Sequence, residues 1–413
     1  MMAAAAAETL LLQHFKTYKI EKGVGFVRKI LSTLLACGFS FVLLSGCGGR
    51  SGQDAAPSST DFNQYLQSQS FYGCTDQGWY IEPYEQVYYF AGDLKSAPIP
   101  LCAKADCNHS DPTTCSSYPT EGSYGIYAWN DMLYYLCMPM DHDGLDLYQM
   151  GLDGQDRKVL VNLFPGANNY SYVANVGGGY LTVAMSEYTV NGDVATLYLI
   201  SLVDPTAEPA VLFSNAEQVE TAQGDTSQIP RPYVMHVGEK WVFYSVEMGP
   251  SGAVTTSLYG YEIATGETKL LVEDEFFVGG DLSPVEDTLY WYDTDGYTFG
   301  RLNQIDLNTG ETNMVAEIPI TEDVWGSMDD KYLYISGGSE EEPAELAIYD
   351  FEGNAVQTIS CEELGMPIVY AFSNDGRVVF RHYDLGSIMP ACWLDKEQLE
   401  RGKVKIHTIP ETG

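Results

Sequence analysis

Hydrophobic positions along this chain come in short bursts. From Gln69 onward, runs of about four to eight residues rich in Tyr, Val, Ile, Leu and Trp alternate with turn-forming residues, the signature of successive β-strands. Apolar positions at helical spacing are not sustained over any long window, which predicts few helices. The runs group in fours. One quartet is Tyr124–Trp129, Met132–Cys137, Leu145–Met150 and Lys158–Val161; others begin near Ser171, Pro232, Phe277, Val324 and Tyr370, with a more compact one from Gln69 to Leu101.

Turn chemistry supports this grouping. The first hairpin of each unit is tight, at Asn130-Asp131, Gly177–Gly179, Gly238–Lys240, Glu286-Asp287, Asp329-Asp330 and Asn374–Gly376. The third hairpin is marked by Asp153-Gly154, Asp204-Pro205, Thr265-Gly266, Thr309-Gly310 and Glu352-Gly353. These residues tolerate positive φ or start turns. Gly266, Gly310 and Gly353 recur at nearly equal intervals, and a repeat of roughly 40–45 residues with four strands is a propeller blade. The expected fold is therefore all-β: a β-propeller over residues 69–413 with seven four-stranded blades, six or eight being the neighbouring counts. Two separate β-sandwiches are the alternative.

In such a blade the first and third hairpins emerge on one rim, the second hairpin and the inter-blade link on the other. Length, cysteine and acid gather in the second set: 102–122, 216–230, Asp141–Gly144, Asp293–Gly296 and Ser339–Glu342. Long loops on a rigid scaffold are where function concentrates. An aromatic residue also stands near the start of each first strand: Tyr72, Tyr124, Tyr172, Tyr233, Phe277, Trp325 and Tyr370. Beside Asp281, Glu322 and Asp323, such rings at the channel mouth would suit a sugar or a cationic peptide; packing between blades is the alternative use.

Charge narrows the partners. Of 413 residues, 57 are acidic and 21 are Lys or Arg, giving a net charge of −36. That argues against nucleic acid or an anionic lipid surface, both of which demand cations. Hydrophobic residues make up 45%, enough for a real core.

The N-terminal region has a different character. Arg28 and Lys29 precede an apolar run from Ile30 to Leu44 that ends in Leu44-Ser45-Gly46-Cys47. This resembles a bacterial lipobox, implying a signal region over 1–46 and a lipid on Cys47, with an ordinary signal peptide as the alternative. Residues 1–26 contain acids and do not fit such a signal, so translation is expected to begin at Val27. Residues 47–68 read as a flexible tether. The resulting expectation is a cell-membrane protein, lipid-anchored on the extracytoplasmic side.

One compact chemical motif stands out, Cys102-x4-Cys107-x-His109-x5-Cys115. Three thiolates and an imidazole can enclose tetrahedral zinc, although the usual two-residue cysteine spacing is missing. Disulfides remain open in an oxidising compartment, as do free thiols. Cys74, Cys102, Cys107, Cys115, Cys137, Cys361 and Cys392 are odd in number, so disulfides would not consume them all. The stretch resembles a segment of Gram-positive propeller lipoproteins of undefined role, in which a Leu-Cys…Cys-x-His…Cys run follows the first blade. The whole chain is similar to a diverged TolB-like β-propeller. WD and kelch signatures are absent from it, and Ser373–Gly376 only approaches a sialidase-type box.

No G-x-S-x-G elbow, P-loop or dinucleotide fingerprint occurs, and the six histidines are scattered singly. Acid pairs such as Asp141/Asp143 and Asp293/Asp295 fit Asp/Gly turns as well as a catalytic or calcium site. The functional expectation is a binding or scaffold protein for a glycan, a peptide or another envelope protein, without catalytic residues. A carbohydrate-active hydrolase or lyase using rim carboxylates is the alternative.

Overall fold

The computed structural model describes residues 72–411, except 83–85, 120–122, 222–228, 250–253, 274–280, 295–298, 321–324, 338–344, 361–368, 374–375 and 383–388. All of these belong to the second of the chain's two compact units, Pro57–Gly413. Seven four-stranded antiparallel sheets follow one another along it, each a simple meander.

Blade 1 comprises β1 (Tyr72–Thr75), β2 (Gly78–Ile81), β3 (Tyr88–Ala91) and β4 (Ile99–Pro100), and blade 2 comprises β5 (Ser123–Trp129), β6 (Met132–Cys137), β7 (Leu145–Gly151) and β8 (Lys158–Leu163). Blade 3 has β9 (Tyr170–Gly177), β10 (Tyr180–Thr189), β11 (Gly192–Ser201) and β12 (Ala210–Ser214), followed by helix α1 (Ala216–Thr221). Blade 4 has β13 (Arg231–Val237), β14 (Trp241–Met248), β15 (Thr255–Glu262) and β16 (Glu267–Val272). Blade 5 has β17 (Leu282–Val285), β18 (Thr288–Thr294), β19 (Gly300–Asp306) and β20 (Thr312–Glu317). Blade 6 has β21 (Trp325–Met328), β22 (Tyr332–Gly337), β23 (Glu345–Asp350) and β24 (Ala355–Ser360). Blade 7 has β25 (Val369–Ser373), β26 (Arg377–His382) and β27 (Pro390–Asp395), then helix α2 (Lys396–Glu400) and β28 (His407–Thr408).

First strands of successive blades lie side by side around the axis. Burial falls away from it in a way that explains the sequence pattern. Second strands are sandwiched between blades and buried on both faces, as in β2 and β22, so they read as continuous apolar runs. Fourth strands are half exposed, as in β8 and β20.

Each of the seven blade interfaces has its own apolar cluster. Blade 1 meets blade 2 through Tyr80, Leu101, Ile126 and Leu133. Tyr127 and Leu136 meet Val176 and Val183 at the next interface, and Leu197 and Leu199 meet Val242 and Tyr244 at the third. Phe243 and Leu258 face Leu289 and Trp291; Tyr292 and Leu302 face Leu333 and Ile335; Tyr334 and Ile348 face Phe380 and Leu394. The ring closes where Val379, Trp393 and Ile409 of blade 7 pack on Trp79 and Phe90 of blade 1. Among the described residues no sheet takes a strand from another blade, and side chains make this closure.

The turns behave as their residues require. Asn130 and Asp131 both adopt positive φ, 49° and 57°, the geometry that joins twisted strands through two residues. Gly178 has φ 53°, and a Cβ there would come within 2.2 Å of Glu239 N in blade 4. Only glycine satisfies both demands. The strand that opens blade 5 among the described residues starts at Leu282; Phe277 lies outside them.

Candidate functional site

The four side chains of the cysteine motif converge. Sulfur atoms of Cys102, Cys107 and Cys115 and a ring nitrogen of His109 all lie within 4.8 Å of one another. A tetrahedral zinc with Zn–S near 2.3 Å needs ligand atoms about 3.5–4 Å apart, so a small contraction completes the cage. Sequence-local bonds build the loop that brings them together. Asp111 accepts from Thr113 N at 2.9 Å and from the hydroxyls of Thr113 and Thr114, and Cys115 N donates to Asp111 O at 2.9 Å. His109 turns the chain with φ 56°.

A second layer of polar groups holds this arrangement. Gln86 Nε2 donates to His109 O at 3.2 Å and to Ser117 Oγ at 2.9 Å, and its own Oε1 accepts from Tyr88 OH. Ser117 is fully buried, and its Oγ lies 2.9 Å from Cys115 Sγ. Once Cys115 is a thiolate the Ser117 hydroxyl is the one that can donate in this contact, the outer-shell pattern of ligand support. Arg157 donates to the carbonyls of Ser116 and Tyr118 at 2.8 and 3.0 Å, and Gln155 reaches Ser116 Oγ. These supporting residues carry no sequence signal that singles them out.

Electrostatics fit a thiolate ligand. Burial would push the Cys102 thiol up, but hydrogen bonds from the Ser116 hydroxyl and from backbone groups outweigh it and bring the pKa down to about 6. The backbone N–H of His109 pulls Cys107 down, yet enclosure and the neighbouring thiols hold it above the ordinary value. Elsewhere, burial drives Cys137 and Cys392 up to about 11 and about 12, where they serve as small core residues. Among the described residues, all six cysteines are unbridged.

The loop departs from the rim of second hairpins and inter-blade links, but its anchors include Gln155 and Arg157, in the third connection of blade 2. That connection emerges on the opposite rim. Held by Gln86 from the second hairpin of blade 1 and by Gln155 and Arg157 from blade 2, the cluster's loop fastens the two blades together.

At the mouth, first-strand aromatics stand where expected along the chain: Tyr72 and Trp325 are the first residues of β1 and β21, and Tyr124 and Tyr370 the second of β5 and β25. The side chains of these four lie outside the described set, as do Glu322, Asp323 and Asp295. Tyr172 packs into the interface between blades 2 and 3, and burial raises its hydroxyl well above the usual range. Tyr233 stays 41% exposed beside Glu247 and Arg231, with burial of its hydroxyl pushing it up to about 12.

Rim carboxylates have specific partners. Asp146 is buried and accepts from Asn162 at 2.8 Å, with His142 Nε2 at 3.1 Å; His142 Nδ1 meets Asp141 at 2.7 Å. Asp293 is paired to Arg301 at 2.8 Å. Asp281 accepts from Leu282 N and from Met328 N of blade 6, each at 2.9 Å. Some of this residue remains exposed, yet enclosure of its carboxyl group pushes the pKa up to about 7 against the pull of those two N–H groups.

Around the mouth the two rims differ. First hairpins have two or three residues in every blade, whereas second hairpins and inter-blade links have five or more, apart from the tight turn at 190–191. There the strands themselves are long, so β10 and β11 project. Third connections are not uniformly short and reach eleven residues in blade 7. No helix among the described residues is long and apolar enough to cross a membrane.

No protein-family model matches the chain, and no curated protein matches it in sequence. Solved structures match its fold. One from a study of two prolyl endopeptidases aligns with a TM-score of 0.51 and 13% identity, over 86% of this chain and 52% of that one. Oligogalacturonate lyase from Vibrio parahaemolyticus aligns at 0.48 and 13%, over 84% and 90%. TolB from Acinetobacter baumannii aligns at 0.32 and 14%, over 71% and 61%. The chain spans about half the length of the prolyl endopeptidase it matches. At these identities the likeness is one of β-propeller architecture.

Proposed function

We propose that this chain is a β-propeller of the extracytoplasmic face of a cell membrane, held there by a lipid on Cys47, that binds a ligand or a partner protein. Its working rim is the one carrying second hairpins and inter-blade links. The observation that carries this reading is the asymmetry of the loops flanking the first strands: the first hairpins on one rim have two or three residues in every blade, while the inter-blade links on the other have six or more and lead into the first-strand aromatics. A rigid ring with variable segments on one rim is suited to recognition. Tyr72, Tyr124, Tyr233, Trp325 and Tyr370 are the residues we assign to ligand contact, with Tyr172 supporting them from the blade interface.

Zinc belongs to the same reading. Cys102, Cys107, His109 and Cys115 supply four protein ligands and leave no position for water, which favours a structural role fastening blade 1 to blade 2.

A second reading has one observation in its favour. Asp281, with a carboxyl group poised near neutral pH at the start of an inner strand, has the acid–base character a hydrolase or lyase acting on carbohydrate requires. One screen separates the two. The purified chain is offered immobilised glycans and peptides and assayed for saturable binding and for product. Binding without turnover supports the first reading; product formation that disappears in Asp281→Asn supports the second.

A further inference from the structure

Large apolar side chains left exposed away from the outermost strands are concentrated on one sector of the working rim. Among the described residues, Val203 is the exception. Met140 lies in the second hairpin of blade 2 and Val190 at the tip of the β10–β11 hairpin, 84% and 102% exposed. Val173, Tyr188 and Met248, at 52%, 47% and 43%, border the junction of blades 3 and 4.

Strand register sets the last three on facing walls of one cleft. Val173 is paired with Ala184, which packs towards blade 4 in the core of that interface. Tyr188 lies on the same side of β10 as Ala184, since alternate residues of a strand share a face. Its hydroxyl donates to Ser171 Oγ at 2.8 Å, which fixes the ring along the wall. On blade 4, Val246 belongs to the same core, so Met248 faces blade 3 from above it. Leu197, Val242 and Tyr244 close the floor.

The rim of this cleft is acidic. Asp193 is paired with Tyr188 and shares its face, Glu217 and Glu220 are exposed on α1, and the cation contributed nearby is Arg231, paired in register with Glu247. Backbone pairing is closed off at this height. Asn215 accepts from Ala195 N at 2.8 Å and donates its own N–H to Ala195 O at 3.1 Å, capping the outer edge of β11. Recognition must come from side chains.

We propose that this cleft docks an extended segment of a partner protein carrying alternating apolar and basic residues. Apolar side chains seat between Val173, Tyr188 and Met248, and cations face Asp193 and the acids of α1. This rests on the assignment of the working rim made above. An apolar surface of this kind, ringed by one sign of charge, fits a partner of the opposite sign.

The test uses the purified chain and a fluorescent peptide of alternating Lys and Leu, with counterparts carrying Ser for Leu and Glu for Lys. Fluorescence anisotropy should give saturable binding for the Lys/Leu peptide alone. The double variant Tyr188→Ser/Met248→Ser, with its thermal midpoint checked against the parent, should weaken binding by about tenfold or more, two exposed apolar contacts being lost. Ile99→Ser/Leu270→Ser, on outer strands, should leave it unchanged. Equal binding of the Ser-for-Leu peptide, survival of binding in the Tyr188/Met248 variant, or no binding of the Lys/Leu peptide overturns the proposal, leaving the rim assignment to the glycan and peptide screen. A dimer of the parent that the Tyr188/Met248 variant dissolves also overturns it, because the occupant would then be a second copy.

Discussion

The indole of Trp393 stacks on the imidazole of His407 with centroids 4.2 Å apart and planes 12° from parallel. Trp393 also forms the seam with blade 1, beside Trp79 and Phe90, while Arg377 covers its ring at 4.8 Å and donates to Gly92 O across the seam. Six of the blade interfaces join neighbours that are also continuous in sequence; this one joins the two ends of the ring. Among the described residues, no exchanged strand helps it.

Trp393→Ala should therefore cost about 3–5 kcal/mol, the usual range for a truncated core aromatic. Urea denaturation measures the loss. Hydrogen exchange should rise first in blades 1 and 7, where the ring opens; a uniform rise through all blades would contradict closure by this seam.

Metal analysis of the purified chain should find one zinc per molecule, and Cys107→Ser should lose it. Ser117→Ala keeps all four ligands but removes the hydroxyl beside Cys115, and should weaken zinc binding by about 10–100-fold. A chelator should raise hydrogen exchange in residues 101–119 while the remaining blades stay protected.

Asp281 gives the stability a defined pH dependence. Its folded pKa, about 7, lies above the ordinary carboxyl value, so the folded state binds the proton more tightly than the unfolded one. Its contribution is complete below about pH 4 and declines as pH rises to 7, the reverse of a salt-bridged aspartate. Asp281→Asn, which stays neutral, should gain roughly 2 kcal/mol relative to the parent at pH 8 over pH 4, about half of what the full shift implies because the residue retains some solvent contact. Thermal midpoints of both proteins across that range measure it, and parallel curves would refute it.

Lys396 makes a buried bridge from α2 to blade 6. Its Nζ lies 2.8 Å from Asp329 Oδ2, which also accepts from Tyr334 OH at 2.6 Å. Lys396→Ala should cost about 3–5 kcal/mol by leaving Asp329 buried without its cation, and the double variant Lys396→Met/Asp329→Asn should recover part of that loss. Denaturation midpoints of the three proteins decide it.

Strand and turn positions were largely legible in the sequence because they depend on local chemistry. Asn130-Asp131 can hardly do other than turn, and Tyr332–Gly337, buried throughout, reads as a central strand wherever it sits. The convergence of Cys102, Cys107, His109 and Cys115 was legible for the same reason, being confined to one short loop. What joins distant segments was not. Asp281 bonds Met328 across 47 residues, and Arg157 holds Tyr118 from another blade's turn. Both depend on how neighbouring blades tilt, which no local pattern encodes.

The central claim is that one rim of the ring binds. Hydrogen exchange of the chain with and without the tightest member of the glycan and peptide screen tests it most directly. Protection confined to second hairpins, inter-blade links and first-strand starts, such as 138–144, 170–173, 188–193 and 231–233, is the predicted result. Protection centred on the first hairpins at 130–131, 178–179, 238–240 and 286–287 would contradict it.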